Sequence, residues 1–254
     1  MGDGDIDVGI IEGRNAVIEA LRAGIAIDKV FIAKGETDRT LRYIASTARA
    51  AGVAVVDADR RKLDAMSLTN AHQGVIAQAA CKEYAAISDI LEAAEIKGEE
   101  PLIIICDGIE DPHNLGAIIR TAEAAGAHGV VIPKRRSAGL TATVAKASSG
   151  AVYHIAVARA TNIVSAIEEL KKAGVWVFGA ATGGNTPLWE SDLSTSAAIV
   201  IGSEGSGISR LVSENCDFII SIPMYGKIAS LNASVSAAIL LYEAVRQRKR
   251  SMQN

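Results

Sequence analysis

The sequence predicts an α/β protein whose larger, C-terminal part is a parallel sheet covered by helices, preceded by a smaller α/β unit. Three observations carry that prediction. Hydrophobic residues make up 49% of the 254-residue chain while aromatics make up only 4%, so Ala, Val, Ile and Leu fill the core, as a sheet buried on both faces requires. The run Leu102 to Cys106 is continuously apolar, the pattern of a central parallel strand. Strand-type and helix-type segments then alternate to the end of the chain, the order of a sheet with helices on both sides.

In chain order, Arg14 to Arg22 reads as a short helix with Gly24 as its left-handed stop. Lys29 to Ile32 reads as a strand. Asp38 is placed to cap a helix whose Leu41, Ile44, Ala45 and Ala48 follow the i, i+3, i+4, i+7 pattern. Val53 to Val56 and Gly74 to Ala80 read as strands, with a short helix over Asp59 to Ser67 between them. This first domain is expected over residues 7–80, and residues 81–100 as a linker holding a helix around Ile87 to Ile96 and the polar run Lys97-Gly98-Glu99-Glu100. The second domain is expected over 101–254. Its strands fall at Leu102 to Cys106, Val130 to Ile132, Ile155 to Ala158, Val175 to Ala180, Ala197 to Ile201 and Phe218 to Ile222. Its helices fall at Asn114 to Ala125, Ala142 to Ser148, Ile163 to Ala173, Ser209 to Asn215 and Ser234 to Gln247.

The formal net charge of −3 excludes a uniformly basic nucleic-acid binder, so any RNA contact belongs to local patches. Lys134-Arg135-Arg136 and the tail Arg246, Arg248, Lys249, Arg250 are two such patches, and each also reads as a solubilising surface run. Cys81, Cys106 and Cys216 are scattered without a C-x-x-C pair, which fits a reduced, cytoplasmic protein and supplies no metal motif. The acidic start Met1 to Asp5 is unlike a signal peptide. No apolar run approaches the roughly 18 residues that span a bilayer, so no membrane partner is expected, and the mean hydropathy of +0.23 reports a buried aliphatic core.

Three segments after strand ends are richer in glycine and polar groups than a turn requires. The first runs from Asp107 to Gly116 and leads to Arg120. Its Asn114 reads as a helix cap and Arg120 as a solvated side chain. Six residues at about 100° each leave the two roughly 120° from a shared face, so they converge only if Asn114 lies in the loop. One His beside Glu110 and Asp111 lacks the second ligand pair of a metal site. The second segment, Gly202 to Gly207, matches G-x-x-x-x-G but has Ile208 where a phosphate loop needs lysine. Its three glycines point instead to close backbone approach to a ligand. In the third, Ser230, Asn232 and Ser234 compete to cap the last helix.

Taken together and in order, these segments resemble the SpoU (TrmH-like) branch of the SPOUT methyltransferases. Asn114-Leu115-Gly116 with Arg120, Gly202-x-Glu204-x-x-Gly207, and Ile222-Pro223-Met224 with Ser230-Leu231-Asn232-x-Ser234-Val235 carry the resemblance. The N-terminal Glu12 to Val17 and His72 to Val75 look like the small L30e-like RNA-binding domain of the subgroup that methylates 23S rRNA guanosine. The resemblance implies a C-terminal trefoil knot, one of the exceptions to unthreaded chains. It implies S-adenosylmethionine as methyl donor, held at Gly202, Ile222 and Leu231, with no metal, and a homodimer whose active sites lie near the interface. It also implies catalytic roles for Asn114, Arg120, Glu204, Ser230 and Asn232. A guanidinium stays protonated, so Arg120 serves either as the family's proposed base or as a clamp on RNA phosphate. Glu204 is expected to orient Arg120 or support the interface. RNA contacts are expected at Arg14, Lys134, Arg135 and Arg136. Transfer to tRNA and a non-catalytic assembly role are the alternatives. An oxidoreductase is disfavoured because no G-x-G-x-x-G follows the first strand.

Overall fold

The computed structural model describes residues 9–35 and 38–251. Met1 to Asp5 and the expected domain start at residue 7 lie outside the described residues. The chain divides into two compact units, one running through Glu83 and taking in Gly139–Ala142, the other comprising Tyr84–Ala138 and Thr143 onward.

The first unit contains β1 (Ile10–Glu12), α1 (Arg14–Arg22), β2 (Ile27–Ala33), α2 (Arg39–Ala50), β3 (Ala54–Ala58), α3 (Arg60–Met66) and β4 (Val75–Ala79). Its sheet has the order β1-β4-β2-β3, with β4 antiparallel to both neighbours and β3 parallel to β2. Asp38 caps α2 by accepting the Thr40 N–H. The residues expected on the buried face of that helix, Leu41, Ile44, Ala45 and Ala48, pack with Val17, Val30 and Ala77. His72, buried before β4, accepts the Gly74 N–H at Nδ1 and meets Asp64 at Nε2. That contact fixes a turn in which Gln73 and Gly74 both have positive φ.

The second unit opens with α4 (Ile87–Lys97) and continues through β5 (Leu102–Asp107), α5 (Pro112–Ala124), β6 (Gly129–Pro133), α6 (Ala142–Ala147) and β7 (Ala156–Ala160). Then come α7 (Ile163–Lys172), β8 (Trp176–Ala180), β9 (Thr186–Pro187), β10 (Ala197–Gly202), α8 (Arg210–Asn215), β11 (Phe218–Ser221) and α9 (Ala233–Ser251). The seven strands are all parallel, in the order β7-β6-β5-β10-β8-β11-β9. Alternate residues of the strands face opposite layers. Ile103, Ile105, Val177, Ala198 and Val200 meet α4, α7 and α8, while α5 and α9 pack on each other. The helix expected inside the linker is therefore more than a spacer: its Ile87 and Ile90 belong to this unit's core.

Arg248 is the clearest departure at element scale. The basic tail offered RNA contact or a solubilising surface, yet Arg248 is half-buried. Its guanidinium donates to the carbonyls of Pro101 (2.7 Å), Thr195 (2.6 Å), Glu100 (2.5 Å) and Leu193 (3.4 Å). Arg246 is held by buried Glu243. A five-donor fork is suited to gathering orphan carbonyls, and here it pins the end of α9 beside the starts of β5 and β10.

Candidate functional site

A strand that stops leaves its next residues free to turn over the sheet edge, and ligands of parallel sheets gather at those carboxyl ends. Past β8, β10 and β11 lies a cavity of about 510 Å³, within the size range of small-molecule sites. Its wall is the segment Ile201 to Ile208, together with residues that include Ala180, Ile222, Met224, Ser230 and Leu231. Thus Gly202, Ile222 and Leu231, expected to touch one ligand, line one cavity.

The glycine loop is tight. The Gly207 N–H donates to Ser203 O at 2.9 Å, and the Ser203 N–H donates back to Gly207 O at 3.2 Å. Gly207 takes φ +64°, and a Cβ on Gly202 would fall 2.0 Å from the Gly207 carbonyl carbon and 2.2 Å from Ile208 N. Only glycine lets the two backbone stretches cross so closely. Asp107, at the end of β5, accepts the Ser209 N–H at 2.7 Å and anchors the loop's far end. Sequence reading missed this carboxylate because its partner lies 102 residues away.

A second cleft, of about 270 Å³, opens beside the first and shares its Ser203 and Glu204 wall. Gly108 to Asp111 and Asn114 complete it. At this wall the three segments meet. The Asn232 amide oxygen accepts the N–H groups of Ser234 (2.9 Å) and Val235 (3.3 Å), and so caps α9. With its oxygen committed, the amide nitrogen must face the other way, where it donates to Asn114 Oδ1 at 3.0 Å and to Glu204 Oε1. Asn114 Nδ2 donates to the same Glu204 oxygen at 3.1 Å. The second oxygen of Glu204 has no hydrogen-bond partner among the described residues.

One expectation, the cap of α5, is corrected here. Asn114 is not a cap: Asp111 caps α5 by accepting the His113 N–H, Pro112 supplies the first helical residue, and Asn114 sits in the first turn. Arg120 is exposed, lines neither cavity and makes no hydrogen bond or ion pair among the described residues. The hydrogen bonds of Glu204 among the described residues run to Asn114 and Asn232, and none runs to Arg120. Ser230 lines the larger cavity and makes no side-chain hydrogen bond among the described residues. Arg14 is tied inward, to Asp38 at 2.8 Å and to Gln73 O at 3.1 Å. Lys134, Arg135 and Arg136 form the loop after β6, at the same edge of the sheet, with Arg136 at φ +54°. In the first unit, Lys34, Arg42 and Arg49 line a cavity of about 380 Å³. Arg42 and Arg49 stand two turns apart on one helix, a spacing that gives the same face and was open to sequence reading.

No group of three or more His, Cys, Asp or Glu is placed to hold a metal among the described residues. Burial raises the Cys106 and Cys216 thiols to about 12, so neither is a ready nucleophile.

Fold and site together define a parallel-sheet protein with a cavity of small-molecule size walled by a glycine-rich loop, beside an amide–carboxylate cluster. The chain belongs to the SpoU rRNA methylase family, which residues 101–242 match, while residues 10–85 match an RNA 2′-O ribose methyltransferase substrate-binding domain. It is an RNA methyltransferase. A Bacillus subtilis protein named for the TrmH family of tRNA/rRNA methyltransferases is 49% identical over 236 residues, covering 93% of this chain and 94% of the relative. The AdoMet-bound rRNA methyltransferase of Sinorhizobium meliloti superposes with TM-score 0.57 at 25% identity, over 94% of this chain and 87% of that one. A TrmH/SpoU tRNA-modifying enzyme of A. aeolicus superposes with TM-score 0.55 at 28% identity, over 65% of this chain and 85% of that one. No helix of the described residues is long and apolar enough to cross a membrane.

Proposed function

We propose that the chain methylates the 2′-hydroxyl of a guanosine ribose in 23S rRNA, taking the methyl group from S-adenosylmethionine, as a cytoplasmic homodimer. One observation carries the reading: Asn114, Glu204 and Asn232, from three distant segments, converge on the wall shared by two cavities. The larger cavity suits the donor. Its Gly202 crossing leaves room for backbone only, and Gly202, Ile222 and Leu231 would hold the cofactor in the loops of the family's trefoil knot. When bound, the cofactor supplies an electrophilic methyl on a sulfonium.

The smaller cleft receives the acceptor ribose. There Asn114 and Asn232 fix the carboxylate of Glu204, whose second oxygen is left to accept the hydroxyl proton, and Ser230 faces the donor side. Holding both partners in register lowers the entropic part of the barrier. Arg120 stands away from its own cavities, so in the homodimer it serves the neighbouring site, clamping RNA phosphate. The first unit holds RNA through Lys34, Arg42 and Arg49, and the Lys134–Arg136 loop adds charge at the sheet edge. The rRNA reading is supported by the S. meliloti likeness, which spans both units, whereas the tRNA-enzyme likeness covers 65% of the chain. The B. subtilis relative's name keeps tRNA as the second reading.

Tritium transfer from labelled S-adenosylmethionine, followed by mapping of ribose-methylated nucleotides, tests this. Label at one 23S rRNA guanosine is expected. Label in tRNA alone would establish the second reading. Donor binding without transfer to any RNA would favour a non-catalytic assembly role.

A further inference from the structure

We propose that the cleft at the amino ends of β8 and β11 binds a guanidinium- or ammonium-bearing segment of a basic protein. This proposal is independent of the methyl-transfer reading. The cleft has a volume of about 330 Å³, and its lining includes the rings of Trp176, Phe178 and Phe218 and the acidic residues Glu190 and Asp192. Trp176 and Phe218 are the first residues of their strands. The donor cavity begins past the last residues of the same strands, so the two sites occupy opposite edges of the sheet.

The chain contains three Phe and two Trp, and three of those five line this cleft. Their rings form a continuous array: Phe178 and Phe218 stack at 5.1 Å, and Trp176 meets Phe218 at 5.8 Å. Trp176 remains 50% exposed and Phe218 44%. Large rings left open around a cavity are a contact surface rather than core.

Charge selects the occupant. Asp192 Oδ1 accepts from Ser194 N and Oγ at 2.9 and 2.6 Å, which keeps its carboxyl below the ordinary range and ionised. Neither Asp192 nor Glu190 forms an ion pair among the described residues. Arg248, which reaches Thr195 on the same rim, gives its N–H groups to carbonyls instead. Two carboxylates repel RNA phosphate. They attract a cation, and ring faces attract one as well, arginine most often. The occupant fitting both surfaces is an Arg- or Lys-bearing segment.

Both tryptophans report on this place, since exposed Trp189 directly precedes Glu190. The test titrates the full chain with an acetylated, amidated hexa-arginine peptide at low salt and follows tryptophan fluorescence. Saturable binding is expected, weakened at least tenfold in both Glu190→Gln/Asp192→Asn and Trp176→Leu. The amide introduced by Asp192→Asn keeps an oxygen for Ser194, and Trp189 remains as reporter in the Trp176→Leu variant. An unchanged far-UV spectrum and unchanged S-adenosylmethionine affinity certify folding. Absent binding, or binding equal in all variants, overturns the proposal. Stronger quenching by a uridine hexamer than by the peptide also overturns it and makes the cleft an RNA-base site.

Discussion

Asn232 performs two tasks with one amide, and both follow from its position just ahead of α9. Its oxygen closes the helix end, a cap worth about 1 kcal/mol. Its nitrogen, aimed away, joins Asn114 and Glu204. Replacing Asn232 with Asp keeps the capping oxygen but sets a second carboxylate against Glu204. The variant is expected to keep a melting temperature within a few degrees of the wild type while methyl transfer falls at least a hundredfold. Transfer near the wild-type rate would remove the cluster from the chemistry. Gly202→Ala acts differently. A methyl group 2.0–2.3 Å from the Gly207–Ile208 backbone forces the loop apart, so calorimetry is expected to show donor affinity lowered at least tenfold.

The residue scale is also where sequence reading fell short. It named Asn114, Glu204 and Asn232 through the resemblance of their three segments to the SpoU family, since their own spacing favoured helix caps and a turn. It did not give their geometry, because hydrogen bonds across 90 and 118 residues leave no local periodicity. It misassigned the cap of α5 because Asp111 and Asn114 are equally suited by type, and Pro112 at the first helical position settles the matter for Asp111.

At the scale of elements, helix faces were legible and their anchors were not. The apolar spacing of α2 gave its four buried residues directly, whereas nothing in the tail's charge pattern marks Arg248 as a clamp. Removing it by Arg248→Ala leaves several carbonyls with a lost charged donor, and a loss of roughly 2–4 kcal/mol in urea unfolding is expected. A loss within about 0.5 kcal/mol would return the tail to a surface role.

His128 makes a comparable tie. It accepts the Leu102 N–H at Nδ1 (3.0 Å), so its proton sits on Nε2 toward Glu99 (3.1 Å). Burial, with Lys97 adding to it and Glu99 opposing, lowers its pKa below 6.5. The unfolded chain therefore binds the proton first. Stability from this group is present above pH 6.5 and is lost as pH falls through the folded pKa. His128→Gln is expected to flatten the fall in stability below about pH 6.5. An unchanged acid limb would assign that loss to other groups.

For the molecule as a whole, net charge −3 leaves RNA contact, in the proposed reading, to local groups of cations. Arg42 and Arg49 share one face of the first unit. Reversing both to Glu is expected to weaken RNA binding, lower the salt slope by about 2, and leave donor binding intact. The parallel architecture was legible because buried strands announce themselves as aliphatic runs. The antiparallel β1–β4 pair was not, since β1 is three residues long. The donor site tests the whole scheme most directly. A crystal structure of the chain soaked with S-adenosylmethionine should show density in the cavity bounded by Gly202, Ile222 and Leu231, with the methyl directed at the Asn114–Glu204–Asn232 wall. Density elsewhere, or a methyl directed away from that wall, would contradict it.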